Sequence, residues 1–352
     1  MTIADIESTA LHAFGPRGPL SATTLAILMH DDVAHRRDAM VGACRAAVLS
    51  SDDVTTDEDI QFTLFLLYAS SYGSLEWIDA GWEWHPALIE ARGILESAFE
   101  AALRRRVEVP DSPEPKASAI AQALFDLTAP SPGPSLSRFL AKEATLEQAR
   151  EFLIHRSIYT LREADPHSWA IPRLTGRPKA ALVEIQSDEY GGGRPERVHA
   201  EIFARTMRGA RLDSTYGAYA DVVPAVTFAA QNAMSMFGLN RRLVGAIVGH
   251  LAAFEMTSSL PNRSYGDAFR RLGFESEVTD YFDEHVEADA VHEQIAAHDL
   301  AGALGEQRPE LVPDIMFGAA ACLALDDLGA DHMRTAFEAG RSSLRAEEGF
   351  AS

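Results

Sequence analysis

The sequence predicts an all-α protein made of an N-terminal helical extension and a larger helical bundle. Three observations predict it. Apolar residues recur at spacings of three and four, and long β-branched alternating runs are scarce. Ala and Leu, strong intrinsic helix formers, are abundant along the chain. Two proline-rich breaks interrupt the helical period: VEVPDSPEPKAS (Val107–Ser118) and APSPGPS (Ala129–Ser135). Proline cannot continue a helix and pushes its predecessor out of the α region. The first break divides the chain into an extension over residues 1–117 and a core over 118–352.

Within the core, Thr145 followed by Gln148 reads as a capping box that opens a helix running to about Ala164. A connection over Asp165–Pro178 leads to a second helix, Pro178–Tyr190, which Gly191-Gly192-Gly193 interrupts. It resumes near Pro195 and runs to about Arg208. Further helices are expected at about 213–237, 239–257, 262–272, 275–301 and 308–345.

Composition excludes several function classes. With 352 residues, 47% of them hydrophobic, the chain can bury a large core, which excludes wholesale disorder. Against 52 acidic residues stand 31 basic ones, a formal net charge of −21, so sequence-independent binding of nucleic acid is not expected. The charge-free run Val222–Asn240 holds Pro224, Gln231 and Asn232 and reads as a buried helix, not a membrane span. Asp5 and Glu7 stand where an export signal carries Lys or Arg, which predicts a cytoplasmic protein. Two cysteines, Cys44 and Cys322, supply neither a disulfide framework nor a thiolate zinc site.

The sharpest local feature is DYFDEHVEADAVHEQI. At 3.6 residues per turn, His285, Asp289 and His292 fall within an arc of roughly 60°. That stripe continues through Val278, Tyr281, Phe282 and Ala296, while Asp283, Glu287 and Gln294 occupy the other face. Polar groups on an inward stripe need partners, and a carboxylate between two imidazoles has metal-ligand spacing.

Other polar residues are misplaced in the same way. Glu255 closes the stripe Val244, Val248, Leu251 and Ala252. Glu189 lies with Leu182 and Ile185, and His199 with Ile202 and Phe203. Glu163 shares its stripe with Phe152, Tyr159 and Arg156, so an ion pair with Arg156 competes with a ligand role. Burying Glu163, Glu189, Glu255 and Asp289 unpaired would be costly, and two divalent cations would neutralise them. Carboxylate and imidazole ligands without thiolate suit iron or manganese in a bundle interior. Glu196 and His199 form a Glu-x-x-His pair, so Glu196 competes with Glu189, or else is a surface residue favoured by the helix dipole.

Together the segments LREADPHSW, EIQSDEYGGGRPERVHAEIF, AAFEM and EHVEADAVHE, spread over residues 140–300, resemble the haem-oxygenase-like diiron oxidases and oxygenases, the iron-containing redox enzymes. The N-oxygenase branch is the most similar, and its ligand positions read here Glu163, Glu189, His199, Glu255, His285, Asp289 and His292. The resemblance implies a seven-helix haem-oxygenase-like bundle and activation of O2 at two Fe(II) ions, with an external reductant. It implies oxidation of a small molecule, such as N-oxygenation of an amine or guanidine. A metal-binding or interaction protein, or a non-oxidative enzyme on the same fold, is the alternative.

The reading of the site assigns Glu163, His199 and His292 to one iron and Glu255, His285 and Asp289 to the other, with Glu189 between them. Gly191-Gly192-Gly193 reads equally as a hinge for the ligand-bearing segment or as an ordinary loop. Tyr159, Tyr281 and Phe282 are candidates to line a substrate pocket, and His155, His167 and His250 to support the ligands. The cluster Trp77, Trp82 and Trp84 is expected to anchor the extension on the bundle, where the N-terminal helices also leave room for a homodimer contact.

Overall fold

Caps and prolines set most of the boundaries. The computed structural model describes residues 14–29, 37–130 and 133–345, with their side chains except those of 287–291. Regular structure among these residues is helical, apart from one isolated antiparallel bridge between Tyr190 and Val198. The N-terminal part holds α1 (Pro19–Leu28), α2 (Arg37–Ser50), α3 (Glu58–Tyr72) and α4 (Pro86–Arg106). The Asp57 carboxylate accepts from the first N–H groups of α3, and Gly73, at φ 60°, ends it. After the first proline-rich break come α5 (Ala117–Leu127), α6 (Leu136–Lys142) and α7 (Leu146–Thr160). The expected capping box opens α7: Gln148 N donates to Thr145 Oγ1, and Thr145 N donates to Gln148 Oε1.

The chain continues through α8 (Asp165–Ser168), α9 (Gly176–Glu189), α10 (His199–Gly209) and α11 (Ala225–Leu239). It ends with α12 (Val244–Arg271), α13 (Ser276–Gln294), a π-helical stretch (Ile295–Gly302), α14 (Ala303–Gln307) and α15 (Val312–Glu338). Two expected boundaries are corrected. The helix expected from 213 begins only at Ala225, because Pro224 is its N-cap and the preceding residues form turns. The helices expected at 239–257 and 262–272 are one, since α12 passes through Pro261. A proline inside a helix costs about 3 kcal/mol. The unbroken buried stretch Val244–Ala253 offsets it, and the proline falls beyond that stretch, beside the exposed Leu260.

Close approach of α12 and α15 fixes the core. A Cβ on Gly249 would stand 1.9 Å from Ile315 O, and one on Gly318 would stand 1.9 Å from Ala246 O. Only glycine lets these two backbones meet. The segment Arg241–Arg271 is long and apolar enough to cross a membrane by length and composition, yet 67% of its most apolar window is buried inside the protein.

The N-terminal part sits on the bundle as a collar. The Arg17 guanidinium lies between the rings of Phe62 and Phe228, 4.7 Å from each centroid. It pairs with Glu58 and donates to Ala220 O and Val223 O. Asn232 Nδ2 of α11 donates to both Gln61 O and Gln61 Oε1 of α3, at 2.8 Å each. One hydrophobic core runs from Leu20 to Phe337. Of the three tryptophans expected to anchor this part, Trp82 is buried and Trp77 packs edge-on against Phe14, but Trp84 is exposed.

Candidate metal centre

Six of the seven expected ligands can be located, and all six are buried where four helices and one turn meet. Glu163 stands in the turn after α7, Glu189 ends α9, His199 begins α10, Glu255 lies inside α12, and His285 and His292 share α13. Their exposures are 8% or less. The side chain of Asp289 lies outside the described residues.

The six form two overlapping groups. Donor atoms of Glu163, Glu189, His199 and His285 all lie within 4.8 Å of one another, and so do those of Glu189, Glu255 and His292. Glu189 belongs to both. This grouping differs from the expected division: His199 stands with His285 rather than His292, and His292 with Glu255. The competitor Glu196 is exposed on the turn Pro195–Arg197 and belongs to neither group.

Glycine makes the first group possible. Gly191, Gly192 and Gly193 take φ of 76°, 57° and 82°, a left-handed run open to glycine at little cost. A Cβ on Gly191 would meet Val198 N at 2.7 Å. The reversal is closed by the Tyr190–Val198 bridge and sets His199 Nδ1 3.0 Å from Glu189 Oε2.

Hydrogen bonds select the nitrogen each imidazole turns inward. His285 Nδ1 is 2.8 Å from Tyr281 O, and a carbonyl only accepts, so Nδ1 carries the proton and Nε2 faces Glu163 Oε1 at 3.9 Å. His292 Nε2 donates to Asp188 Oδ2 at 3.0 Å, which turns Nδ1 toward Glu255 Oε2 at 3.4 Å. Tyr281 Oη donates to Glu163 Oε2 at 2.7 Å, fixing that carboxylate. The competing alternative, an ion pair between Arg156 and Glu163, does not form among the described residues.

The titration of these groups reflects burial and the charges of their close neighbours. Burial, then the charge of Glu189, raises Glu163 to about 8. Burial opposes the charge on His199, but Glu189 and Glu163 outweigh it and hold the imidazole at about 9. Burial likewise opposes His292, and Glu255 and Asp188 carry it to about 9. Burial, with His199 nearby, lowers His285 to about 3. Burial would raise Glu189, yet its neighbouring imidazoles leave it lowered. Glu255 is raised, chiefly by burial.

The donor set fits a pair of first-row divalent cations. Glu163 Oε1, His199 Nδ1 and His292 Nδ1 are buried and lack a hydrogen bond of proper geometry, although acceptors or donors stand within 4 Å of each. Buried polar atoms are rarely left so. Two ligand atoms of one such cation stand at most ~4.2 Å apart, so sub-ångström movement would close either group. The cavity between them, about 10 Å³, is lined by Glu163, His167, Gln186, Phe254, Glu255 and Ser258 among others. Its free volume is about that of one water-sized sphere.

Supporting residues separate into those the sequence flagged and those it did not. His167 and His250 touch through Nε2 and Nδ1 at 3.3 Å beside the cavity. Both are lowered, His167 to about 4, chiefly by burial. His155 is elsewhere, between Thr227 Oγ1 and Ser343 Oγ. Phe282 is core, stacked on Phe269. Asp188 was not anticipated, because it lies one position off the buried stripe of α9 and is itself exposed. A larger cleft of about 670 Å³, lined by Arg173, Asn240, Arg241, Arg242, Arg308 and Leu311, holds none of the ligands.

A family model described as iron-containing redox enzyme matches residues 150–327, just over half of the chain and a span that includes all seven expected ligands. The chain belongs to the iron-containing redox enzyme family. Over 184 residues this family member is 26% identical to the nitrosourea synthase of Streptomyces achromogenes subsp. streptozoticus. That stretch is 51% of this chain and 39% of the synthase, so the match spans about two fifths of the relative's length. A CADD-like protein of unknown function from Nostoc punctiforme superposes with a TM-score of 0.49 at 14% identity, over 62% of this chain and 97% of the other.

Proposed function

We propose that this member of the family is a non-haem diiron oxygenase or oxidase acting on a small molecule, with oxygenation of an amine or guanidine nitrogen as its reaction. One observation carries the reading: two buried carboxylate–imidazole groups share Glu189, and three of their inward atoms, Glu163 Oε1, His199 Nδ1 and His292 Nδ1, are left without hydrogen bonds. A mononuclear structural ion would need only one such group, completed by a closed ligand shell.

Two Fe(II) ions held there would supply the electrons that activate O2, and an external reductant would restore them. Glu163, His199 and His285 would hold one ion, and Glu255 and His292 the other, with Asp289 the seventh expected ligand of the set. Glu189 would serve both. Tyr281 holds Glu163 in place by donating to Oε2, leaving Oε1 free to turn inward. Asp188 and the Tyr281 carbonyl fix which nitrogens of His292 and His285 face the ions. Burial of the six ligand side chains limits the access of bulk water to the centre.

The test is anaerobic Fe(II) titration followed by mixing with O2. The expected result is two ions per chain, then O2 consumption with a transient visible absorption. Binding of two ions without rapid O2 uptake would make the protein a metal binder, and binding of none would remove the centre altogether.

A further inference from the structure

Away from the metal ligands, the cleft of about 670 Å³ gathers positive charge on a chain whose acids outnumber its bases, 52 to 31. Three short turns build its wall: Ile171–Arg173, Arg241–Leu243 and Pro309–Leu311. Each turn carries or adjoins an arginine, so Arg173, Arg241, Arg242 and Arg308 all line the cleft. Among the described residues neither a carboxylate nor an aromatic ring lines it. Backbone contacts fix the turns. Arg173 Nη2 donates to Leu239 O at 2.8 Å and its Nη1 to Gly238 O, which ties the first turn to the approach of the second. A Cβ on Gly245 would stand 3.1 Å from Leu311 O, so the third turn is seated on the start of α12.

The four guanidinium groups are not neutralised by their neighbours. Arg241 has no ion pair or hydrogen bond among the described residues. Arg242 pairs with Glu100 at 2.6 Å, but Glu100 also pairs with Arg104. Arg308 pairs with Glu310 at 3.1 Å, and both side chains are exposed. Arg173 spends two N–H groups on carbonyls, which bring no charge. Exposed ion pairs are worth about 0–1 kcal/mol, so Arg242 and Arg308 can turn toward a ligand at little cost. Burial, then the charge of Arg241, lowers Arg173, which is the mark of cations set close together. α12 begins at Val244 on the same wall with no acidic residue in its first turn, and the positive end of its dipole adds to the field.

A concavity of this size falls within the range of small-molecule sites, ~300–1,000 Å³. Its lining selects by charge. Guanidinium forks match the oxygens of a phosphoryl group in pairs. One phosphoryl group meets only the forks nearest to it, whereas two linked groups can meet arginines of different turns at once. With no ring to stack a base, the wall grips the anionic part of a ligand and leaves the remainder to solvent. We propose that this cleft is a second binding site, and that it takes the diphosphate group of a small molecule. The site uses none of the iron ligands and stands whether or not the centre is a diiron one.

The test is calorimetric titration of inorganic pyrophosphate into the full chain at fixed, low ionic strength, without metal because diphosphate chelates iron. Pyrophosphate should bind about tenfold or more tightly than inorganic phosphate or citrate. Arg241→Gln removes a guanidinium that has no partner in the fold, and should weaken pyrophosphate by about tenfold. Adding Arg308→Gln should weaken it by about a hundredfold. Arg45 of α2 is likewise exposed and without a partner among the described residues, so Arg45→Gln should bind as the parent does. Thermal melts establish that the variants fold. ADP and NADH carry the same diphosphate with one and two nucleosides. Tighter binding of either than of pyrophosphate assigns the group to that nucleotide, and equal binding assigns it to free diphosphate. The proposal is overturned if pyrophosphate does not bind at millimolar concentration, or if citrate or a polyglutamate peptide binds as tightly. It is equally overturned if the double variant binds as the parent does, or if Arg45→Gln loses as much as Arg241→Gln, which would reduce the effect to overall charge.

Discussion

At the level of single residues, polarity on an apolar stripe was the signal that mattered. Glu189, His199, Glu255, His285 and His292 were each legible because the helical period placed them inward, and all are buried together. Glu163 was ambiguous on period alone, since Arg156 shares its stripe, and the structure separates the two roles. Tyr281 was legible as a ring near the ligands, but its hydroxyl bond to Glu163 depends on how α13 rotates against the turn after α7, which no local pattern encodes. Replacing His285 or His292 with Ala should abolish stoichiometric Fe(II) binding, measured by metal analysis after anaerobic desalting. Unchanged uptake in both variants would dismiss α13 as a ligand helix. Tyr281→Phe should weaken iron binding by about tenfold while the chain stays folded, because it removes only the group that orients Glu163. Glu196→Gln should bind iron as the parent does, and a loss there would return Glu196 to the ligand set.

Whole elements depend on where the backbone can bend or touch. The Gly191–Gly193 interruption was visible as a break, but periodicity could not tell a hinge from a loop. The structure makes it a reversal that joins the end of α9 to the start of α10 and thereby pairs Glu189 with His199. The junction of α12 and α15 was not legible, because its cause is a carbonyl on a neighbouring helix facing Gly249 and Gly318. Helical period also misjudged Pro261, which interrupts a helix only when tertiary burial fails to hold both halves. Gly191→Ala adds a Cβ at φ 76° against Val198 N, so it should weaken Fe(II) binding through displacement of His199. Gly249→Ala should instead destabilise the fold by about 1–3 kcal/mol or more, read as a lower denaturant midpoint with the slope unchanged. Equal stability of that variant and its parent would mean that α12 and α15 can separate without cost.

For the molecule as a whole, charge, metal and stability are linked, and the sign can be worked out. The chain carries a formal −21, and three of its carboxylates, Glu163, Glu189 and Glu255, are buried together at the centre. Without metal, protons do part of the cations' work: His199 and His292 are held at about 9 and Glu163 at about 8. The two imidazoles are raised above 6.5, so their stabilisation is complete below that pH and is lost as pH rises through 9. Glu163 is raised above 4.5, so it costs stability once pH exceeds that value, increasingly up to its folded value near 8. His285, lowered to about 3, acts below 6.5 and leaves the window above it untouched. Metal-free protein should therefore lose stability steadily between about pH 6.5 and 9. Cations bind the deprotonated forms and must expel these same protons, so Fe(II) affinity should rise across the same window. The gap in melting temperature between iron-loaded and metal-free chains should widen from pH 6.5 to 8.5, measured anaerobically at constant ionic strength. Titrations in buffers of different ionisation enthalpy should show net proton release on iron binding. A gap that narrows with pH, or proton uptake in place of release, would mean that these imidazoles and carboxylates do not meet the metal, because no arrangement of displaced protons could produce that sign.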